Sequence, residues 1–351
     1  MDSFTTLGRS GLKVSPLCLG TMTFGTEVDW GADEATARGM FNHYVEAGGN
    51  FVDTADGYTR GTSEKMVGRF IAERGLRDRV VLATKFTFGS DQNNPNSGGN
   101  GRKNLYRAVE ASLKRLQTDY IDVYWLHAWD TMTPVEEVMA SIDALVRAGK
   151  VRYFGMSDVP AWYAARGQTI AELRGMTPIV ALQLEYSLIE RNIEREHIPL
   201  AQELGLGLCP WSPLAGGILT GKYRPEEGKT EAGRFDAMTS TALDKTRTER
   251  ASRVLAALVE VAAELGRTKA DVALNWVATR PTVTSTIVGA RTQAQLEANL
   301  KALEFTIPVP LRQRLDEAGA IEIIHPYNYF EPYIQSLMRS GSNIRPWKPA
   351  G

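Results

Sequence analysis

The sequence holds little cysteine and little histidine: two of the first, Cys18 and Cys209, and four of the second in 351 residues. Each cysteine sits inside an apolar run (PLCLG, LGLCP), where a reduced core thiol is expected. So sparse a set excludes a disulfide-stapled miniprotein and argues against a zinc cluster; no metal is expected. Charge of one sign is lacking too. Lys and Arg number 40 against 41 Asp and Glu, a net charge of −1 that offers no global field to phosphate backbones or anionic lipid. Neither nucleic acid nor membrane is an expected partner, although a homo-oligomer is compatible with this composition. No apolar run approaches the ~20 residues of a bilayer span, and residues 1–10 (MDSFTTLGRS) lack the basic and apolar segments of a signal peptide. A cytoplasmic protein is expected. Also missing is a Gly-rich phosphate turn after the first apolar run; Gly98-Gly99-Asn100-Gly101 follows a polar stretch, 91–97, and reads as a loop.

What the chain does have is 43% hydrophobic residues, enough for a large core, arranged in eight short apolar runs. They are Leu17–Leu19, Phe51–Val52, Val80–Ala83, Ile121–Leu126, Val151–Met156, Ile179–Leu184, Leu206–Cys209 and Thr284–Val288. Helical patterns lie between them, such as Leu105, Val109, Leu113 and Leu116, or Val135, Val138, Met139, Ile142 and Leu145. Most runs follow one another at roughly 30 residues, the length of one βα unit, and they are continuous, as in strands buried on both faces of a parallel sheet. Eight such units predict an α/β fold, a closed (β/α)8 TIM barrel, with an open doubly wound sheet as the alternative. Residues 5–20 read as an N-terminal β-hairpin plugging the barrel floor, residues 215–248 as a long loop after strand 7, and 325–330 (HPYNYF) as a C-terminal aromatic tail. With no linker composition anywhere, 1–351 reads as a single domain.

Four polar residues fall at the carboxyl ends of successive strands: Asp53 and Tyr58 after the second (FVDTADGY), Lys85 at the end of the third (VVLATK) and His127 at the end of the fourth (IDVYWLH). Taken singly each has an ordinary packing or solvation role; together they stand where barrels place catalysis. A lysine emerging from an apolar strand needs an anion, which Asp53 on the neighbouring strand supplies. The cation then sits beside Tyr58 and lowers the phenol's pKa from about 10, making it a general acid, while His127 orients the same substrate oxygen. Protonating a carbonyl oxygen is half of a reduction; the other half is hydride from a nicotinamide. The loop after the eighth run, Gly289-Ala290-Arg291-Thr292, followed by a helix over 293–300 capped by Thr292, suits a phosphate, and Arg291 suits a 2′-phosphate.

These stretches resemble the aldo-keto reductase superfamily over nearly the whole chain. Residues 51–58 with Gly61, Ser63 and Glu64, then Ala83-Thr84-Lys85, Leu126-His127, Gly155-Met156-Ser157-Asp158, residues 182–187 (LQLEYS), 211–217 (WSPLAGG) and 287–291 (IVGAR) match in order. The resemblance implies Tyr58 as proton donor, Lys85 and Asp53 as its tuning pair and His127 as carbonyl orienter, with NADP(H) as cofactor. It further implies Ser157, Asp158 and Gln183 at the nicotinamide carboxamide, Trp211 stacked on the ring, and Ser212, Leu214 and Gly216 at the pyrophosphate. Lys222 would lie in a segment folding over the cofactor, and Gly289, Arg291, Gln295 and Asn299 would hold the adenosine end. Asp158 stands where the family more often has asparagine, and Ala298 where many members have glutamate. The long loop is similar to that of the branch related to potassium-channel β subunits. Substrate contacts are expected from the loops after strands one, three and four and from the tail: Trp30, Phe86, Phe88, Trp129, Asp130 and Tyr327. Their aromatic faces suit aryl rings or the apolar faces of sugars. The implied activity is NADPH-dependent reduction of an aldehyde or ketone to the alcohol. Two other readings stand beside it: an NADPH-binding regulatory subunit with negligible turnover, and a glycoside hydrolase using Asp53 or Asp56 with Glu185.

Overall fold

The computed structural model describes residues 1–221 and 248–344. Contacts divide the chain into two compact units, Met1–Gly319 and Ala320–Gly351, where the sequence reading has one domain. In the first unit, β1 (Thr5–Thr6) and β2 (Lys13–Val14) form an antiparallel hairpin, with Thr5 opposite Val14. Eight parallel strands follow: β3 (Leu17–Gly20), β4 (Phe51–Asp53), β5 (Val81–Phe86), β6 (Ile121–Leu126), β7 (Val151–Ser157), β8 (Ile179–Glu185), β9 (Gly207–Trp211) and β10 (Thr286–Val288). Each falls on one of the eight apolar runs. The sheet order is β10-β3-β4-β5-β6-β7-β8-β9, and β9 returns toward β10 through a bridge between Leu208 and Val283, where the Thr284 N–H donates to the Leu208 carbonyl at 2.8 Å. The result is the (β/α)8 barrel, nearly closed.

Helices alternate with the strands: α1 (Glu34–Glu46), α2 (Thr62–Glu73), α3 (Arg102–Leu116), α4 (Val135–Arg147), α5 (Ala161–Arg174), α6 (His197–Leu204), α7 (Glu249–Leu265), α8 (Lys269–Ala278), α9 (Gln293–Leu300) and α10 (Val309–Ala318). Local chemistry fixes their starts. Thr268 and Asp271 form a reciprocal capping box on α8, and the Thr292 hydroxyl accepts the Gln295 N–H at the start of α9, as the sequence suggests. No helix among the described residues is long and apolar enough to cross a membrane.

Two cores result, and strand parity sorts them. Cys18, Phe51, Val81, Ala83, Val123, Trp125, Ala181, Cys209 and Ile287 fill the barrel interior, and Leu7 and Val14 of the hairpin join them, consistent with a plug at the floor. Leu82, Tyr124, Leu126, Phe154, Met156 and Leu182, one residue out of phase, pack against the helices. Both cysteines are free and buried. In the second unit, a 3-10 turn at Tyr327–Phe330 precedes α11 (Pro332–Met338), and the Tyr327 and Phe330 rings meet edge to face with centroids 5.9 Å apart. Of the long loop after β9, only its first and last residues are described; Lys222 lies outside the described residues.

Candidate active site

The same parity determines which polar side chains enter the barrel. On β5, Val81 and Ala83 point inward, so Lys85 does too, where it is fully buried. On β4, Asp53 follows Phe51 inward; on β7 and β8, Ser157 and Gln183 occupy the inward phase at the carboxyl ends, paired in register. Lys85 Nζ donates to Asp53 Oδ2, to the Thr54 carbonyl at 2.8 Å and to Tyr58 Oη at 3.1 Å, and it lies 4.7 Å from the Tyr58 ring centroid. The His127 ring meets Tyr58 edge-on, with centroids 5.8 Å apart. The four residues singled out at the strand ends are therefore one cluster.

Burial and charge set their protonation. Burial pushes the Lys85 ammonium down, but the Asp53 charge and the hydrogen bonds of Asp53 and Tyr58 outweigh it, and the net direction is up. Burial raises the Asp53 carboxyl, against the opposing pull of Lys85 and of the Gln183 amide. His127 is driven well below 6.5, first by burial and then by the Lys85 charge, so its imidazole is neutral at neutral pH. Its Nδ1 is buried without a hydrogen-bond partner among the described residues.

The loop carrying Tyr58 is held by hydroxyls and by unusual backbone. Thr59 and Arg60 adopt left-handed φ of 44° and 54° before Gly61 at 88°, a sequence of turns costly for side chains with a Cβ. The Thr59 hydroxyl donates to the Phe24 carbonyl at 2.6 Å, and Thr21, Thr54 and Ser63 share a buried hydroxyl network beneath it. Glu64, fully buried, accepts from Thr84 at 2.6 Å and from Arg115 at 2.5 Å.

Around the mouth, Asp158 adopts a left-handed φ of 46° and accepts from Trp211 Nε1 at 3.2 Å and from the Ser157 hydroxyl at 3.3 Å. Burial, with a contribution from the Glu185 charge, raises its carboxyl to about 6. The segment from Ser212 turns sharply, with positive φ at Ser212, Ala215, Gly216 and Gly217, and the Ser212 hydroxyl accepts the Gly216 N–H at 3.0 Å; Leu214 is half-buried within it. After β10, the Arg291 N–H donates to Gln295 Oε1 at 2.9 Å, and Asn299 Nδ2 donates to the Gly289 carbonyl at 3.3 Å. Gln295 and Asn299 thus shape the loop over 289–292, a role additional to the adenosine contact the resemblance implies. The Arg291 side chain is exposed.

Against this geometry, the profile of the Aldo/keto reductase family matches residues 16–319. The chain belongs to the aldo/keto reductase family. It is 39% identical over 90% of its length to the uncharacterized oxidoreductase YrpG of Bacillus subtilis, covering 95% of that protein. To the norsolorinic acid reductase of Aspergillus flavus it is 35% identical, over 97% of this chain and 87% of that one. An aryl-alcohol dehydrogenase of Pestalotiopsis microspora is 34% identical over 91% of this chain and 83% of its own.

In this aldo/keto reductase the expected substrate residues part company. Trp129 lines a cavity of about 400 Å³ with Asp158, Val159, Leu184 and Glu185, and its ring meets Trp162 at 5.4 Å. Trp30 is half-buried between β3 and α1. Asp130 ties two loops of the mouth together by accepting the N–H groups of Asn100 at 2.8 Å and Thr133 at 2.9 Å. Phe86 is a correction: it shares the phase of Leu82, is fully buried, and stacks on Tyr124 at 4.9 Å in the layer between strands and helices. The aromatic at the mouth is instead Phe88, which meets the His127 ring edge-on at 4.7 Å. Tyr327 belongs to the other unit. The packing of two residues beneath the site escaped the sequence analysis. Trp125 lies one inward step below His127, and Gly155 on the next strand leaves room for its indole: a Cβ there would lie 2.1 Å from it. Nothing in the sequence of β6 (IDVYWL) marked them, because past Asp122 the strand is apolar on both faces.

Proposed function

We propose that this chain is a cytoplasmic NADPH-dependent reductase that converts an aldehyde or ketone to the alcohol. One observation carries the reading: the Tyr58 phenol lies 3.1 Å from a fully buried ammonium and beside a neutral imidazole. In the proposed reaction Tyr58 gives its proton to the carbonyl oxygen, and the Lys85 ammonium stabilises the phenolate that remains. Asp53 keeps that ammonium charged in a desolvated place, and neutral His127 donates to the same oxygen from its outer nitrogen. When bound, the reduced nicotinamide supplies the hydride. The residues fit such a group: Gln183 Oε1 accepts no hydrogen bond from the described residues, and the Arg291 guanidinium meets no acidic partner among them. Ser157, Asp158 and Gln183 would hold the carboxamide and Trp211 the ring. Ser212, Leu214 and Gly216 would line the pyrophosphate, and Gly289 and Arg291 the adenosine end, where a guanidinium favours the 2′-phosphate of NADPH.

Of the two substrate classes the mouth suits, we favour aromatic carbonyls, supported by Trp129 and Phe88 and by the relative named as an aryl-alcohol dehydrogenase. The test is a panel of aromatic and sugar-derived aldehydes followed at the nicotinamide absorbance band with NADPH and NADH side by side. Oxidation of NADPH, fastest with aryl aldehydes, is expected. Tight binding of NADPH with no consumption would overturn the enzymatic reading in favour of a regulatory subunit, and sugar release without nucleotide would favour a hydrolase.

A further inference from the structure

We propose that Gln183 is a positioning residue that couples the cofactor's carboxamide site to the proton-donating chain Asp53–Lys85–Tyr58. The inference rests on the reading above only for the carboxamide half; the other half is in the structure. Gln183 is 3% exposed at the carboxyl end of β8, and its Nε2 donates to Asp53 Oδ1 at 3.1 Å, joining residues 130 apart in sequence. The other carboxylate oxygen, Oδ2, takes the Lys85 ammonium. The two oxygens of one buried carboxylate are therefore divided between an amide and the cation that faces Tyr58.

Two consequences follow from donor and acceptor chemistry. An ionised carboxylate only accepts, so the amide must present its NH2 to Asp53 and its oxygen away from it. That oxygen accepts no bond from the described residues, so it is an acceptor held ready for an N–H group, in register with Ser157 on β7. A carboxamide supplies such a group; a carboxylic acid at neutral pH does not. The second consequence runs inward. The amide bond favours ionised Asp53, and with it the charged form of Lys85; removing it shifts the pair toward neutrality and weakens the positive charge beside the Tyr58 phenol. The other groups facing Asp53 do not compensate. Cys18 on β3 and Cys209 on β9 both feel its charge, and burial pushes both thiols up, so they stay neutral, as does His127; the Trp125 indole on β6 favours the ionised carboxylate alongside Gln183 and is unchanged by the substitution.

The experiment pairs two readouts on Gln183→Met, which keeps the length of the side chain and loses its polar atoms, with Gln183→Leu as a second variant should the first fold poorly. In the protein without cofactor, ultraviolet difference titration of each variant against the same variant carrying Tyr58→Phe isolates the Tyr58 phenol from the other tyrosines. Its ionisation is expected to move to higher pH by about one unit, the scale of a lost hydrogen bond to a charged group. NADPH titration by fluorescence is expected to show weaker binding in Gln183→Met, by about tenfold. The same substitution in an Asp53→Asn background should weaken binding by a different factor. An unmoved phenol titration overturns the positioning role. A moved titration with unchanged NADPH affinity, or identical factors in both backgrounds, overturns the coupling. Failure of the wild-type protein to bind any dinucleotide overturns the proposed function and the coupling, while the phenol titration still decides whether Gln183 positions Asp53.

Discussion

Lys85 is the residue on which the site turns, because a fully buried ammonium survives only with its counter-charge. Lys85→Met is expected to leave Asp53 buried without its cation and to cost about 3–5 kcal/mol at neutral pH. Asp53→Asn combined with Lys85→Met is expected to recover a large part of that loss. Denaturant unfolding of the two single variants and the double variant measures the coupling directly; additive losses would deny the pair its mutual dependence. A half-buried carboxylate, Asp56, stands outside the proposed proton path. Burial, then the charge of Glu64, raises Asp56 to about 7, and its Oδ1 has no hydrogen-bond partner among the described residues. Its folded-state pKa lies above its unfolded value, so the folded chain holds this proton to higher pH. Stability is therefore lost as pH rises from about 4 to 7, and the deficit stays constant above that window. Asp56→Asn mimics the protonated acid and is expected to raise the melting temperature by a few degrees at pH 8 and leave it nearly unchanged at pH 4. A gain of equal size at both pH values would assign the effect to packing.

At the scale of elements, adjacent strands carry the cluster and their phase decides its members. Trp125 on β6, in register with Lys85 on β5, fills the barrel interior because Gly155 on β7 offers it no side chain. Gly155→Ala is expected to displace the indole and cost about 1–3 kcal/mol, the scale of overpacking, seen as a lower midpoint in chemical denaturation. An unchanged midpoint would place the indole elsewhere. The eight strands were legible because each is a continuous apolar run bounded by helical periodicity, and the tetrad was legible because Asp53, Lys85 and His127 close three of those runs. Phase was not legible. A strand buried on both faces shows no alternation of hydrophobicity, so nothing in VLATKF says that Lys85 enters the barrel and Phe86 leaves it.

The whole molecule adds what no neighbouring pair of strands contains. Asp53 and Gln183 lie on strands separated by three others in sheet order, and only the curvature of the barrel brings their side chains together. That contact has no signature in sequence spacing, whereas the resemblance to a family located Gln183 at the mouth without its inward partner. In the proposed function the carboxyl end of the barrel takes the dinucleotide, which would then stabilise the folded state by mass action. NADPH at a hundredfold excess over its dissociation constant is expected to contribute about 2.7 kcal/mol and to raise the melting temperature measurably, and the gain should shrink in Arg291→Ala. An equal gain in that variant would remove Arg291 from the phosphate site. The most direct measurement is single-turnover oxidation of bound NADPH by an aryl aldehyde in Tyr58→Phe, compared with the wild-type protein. The expected result is retained NADPH binding with hydride transfer slowed by about 100-fold or more, the scale of a lost general acid. Transfer at the wild-type rate in a folded, cofactor-binding Tyr58→Phe protein would contradict the assignment of the proton to that phenol.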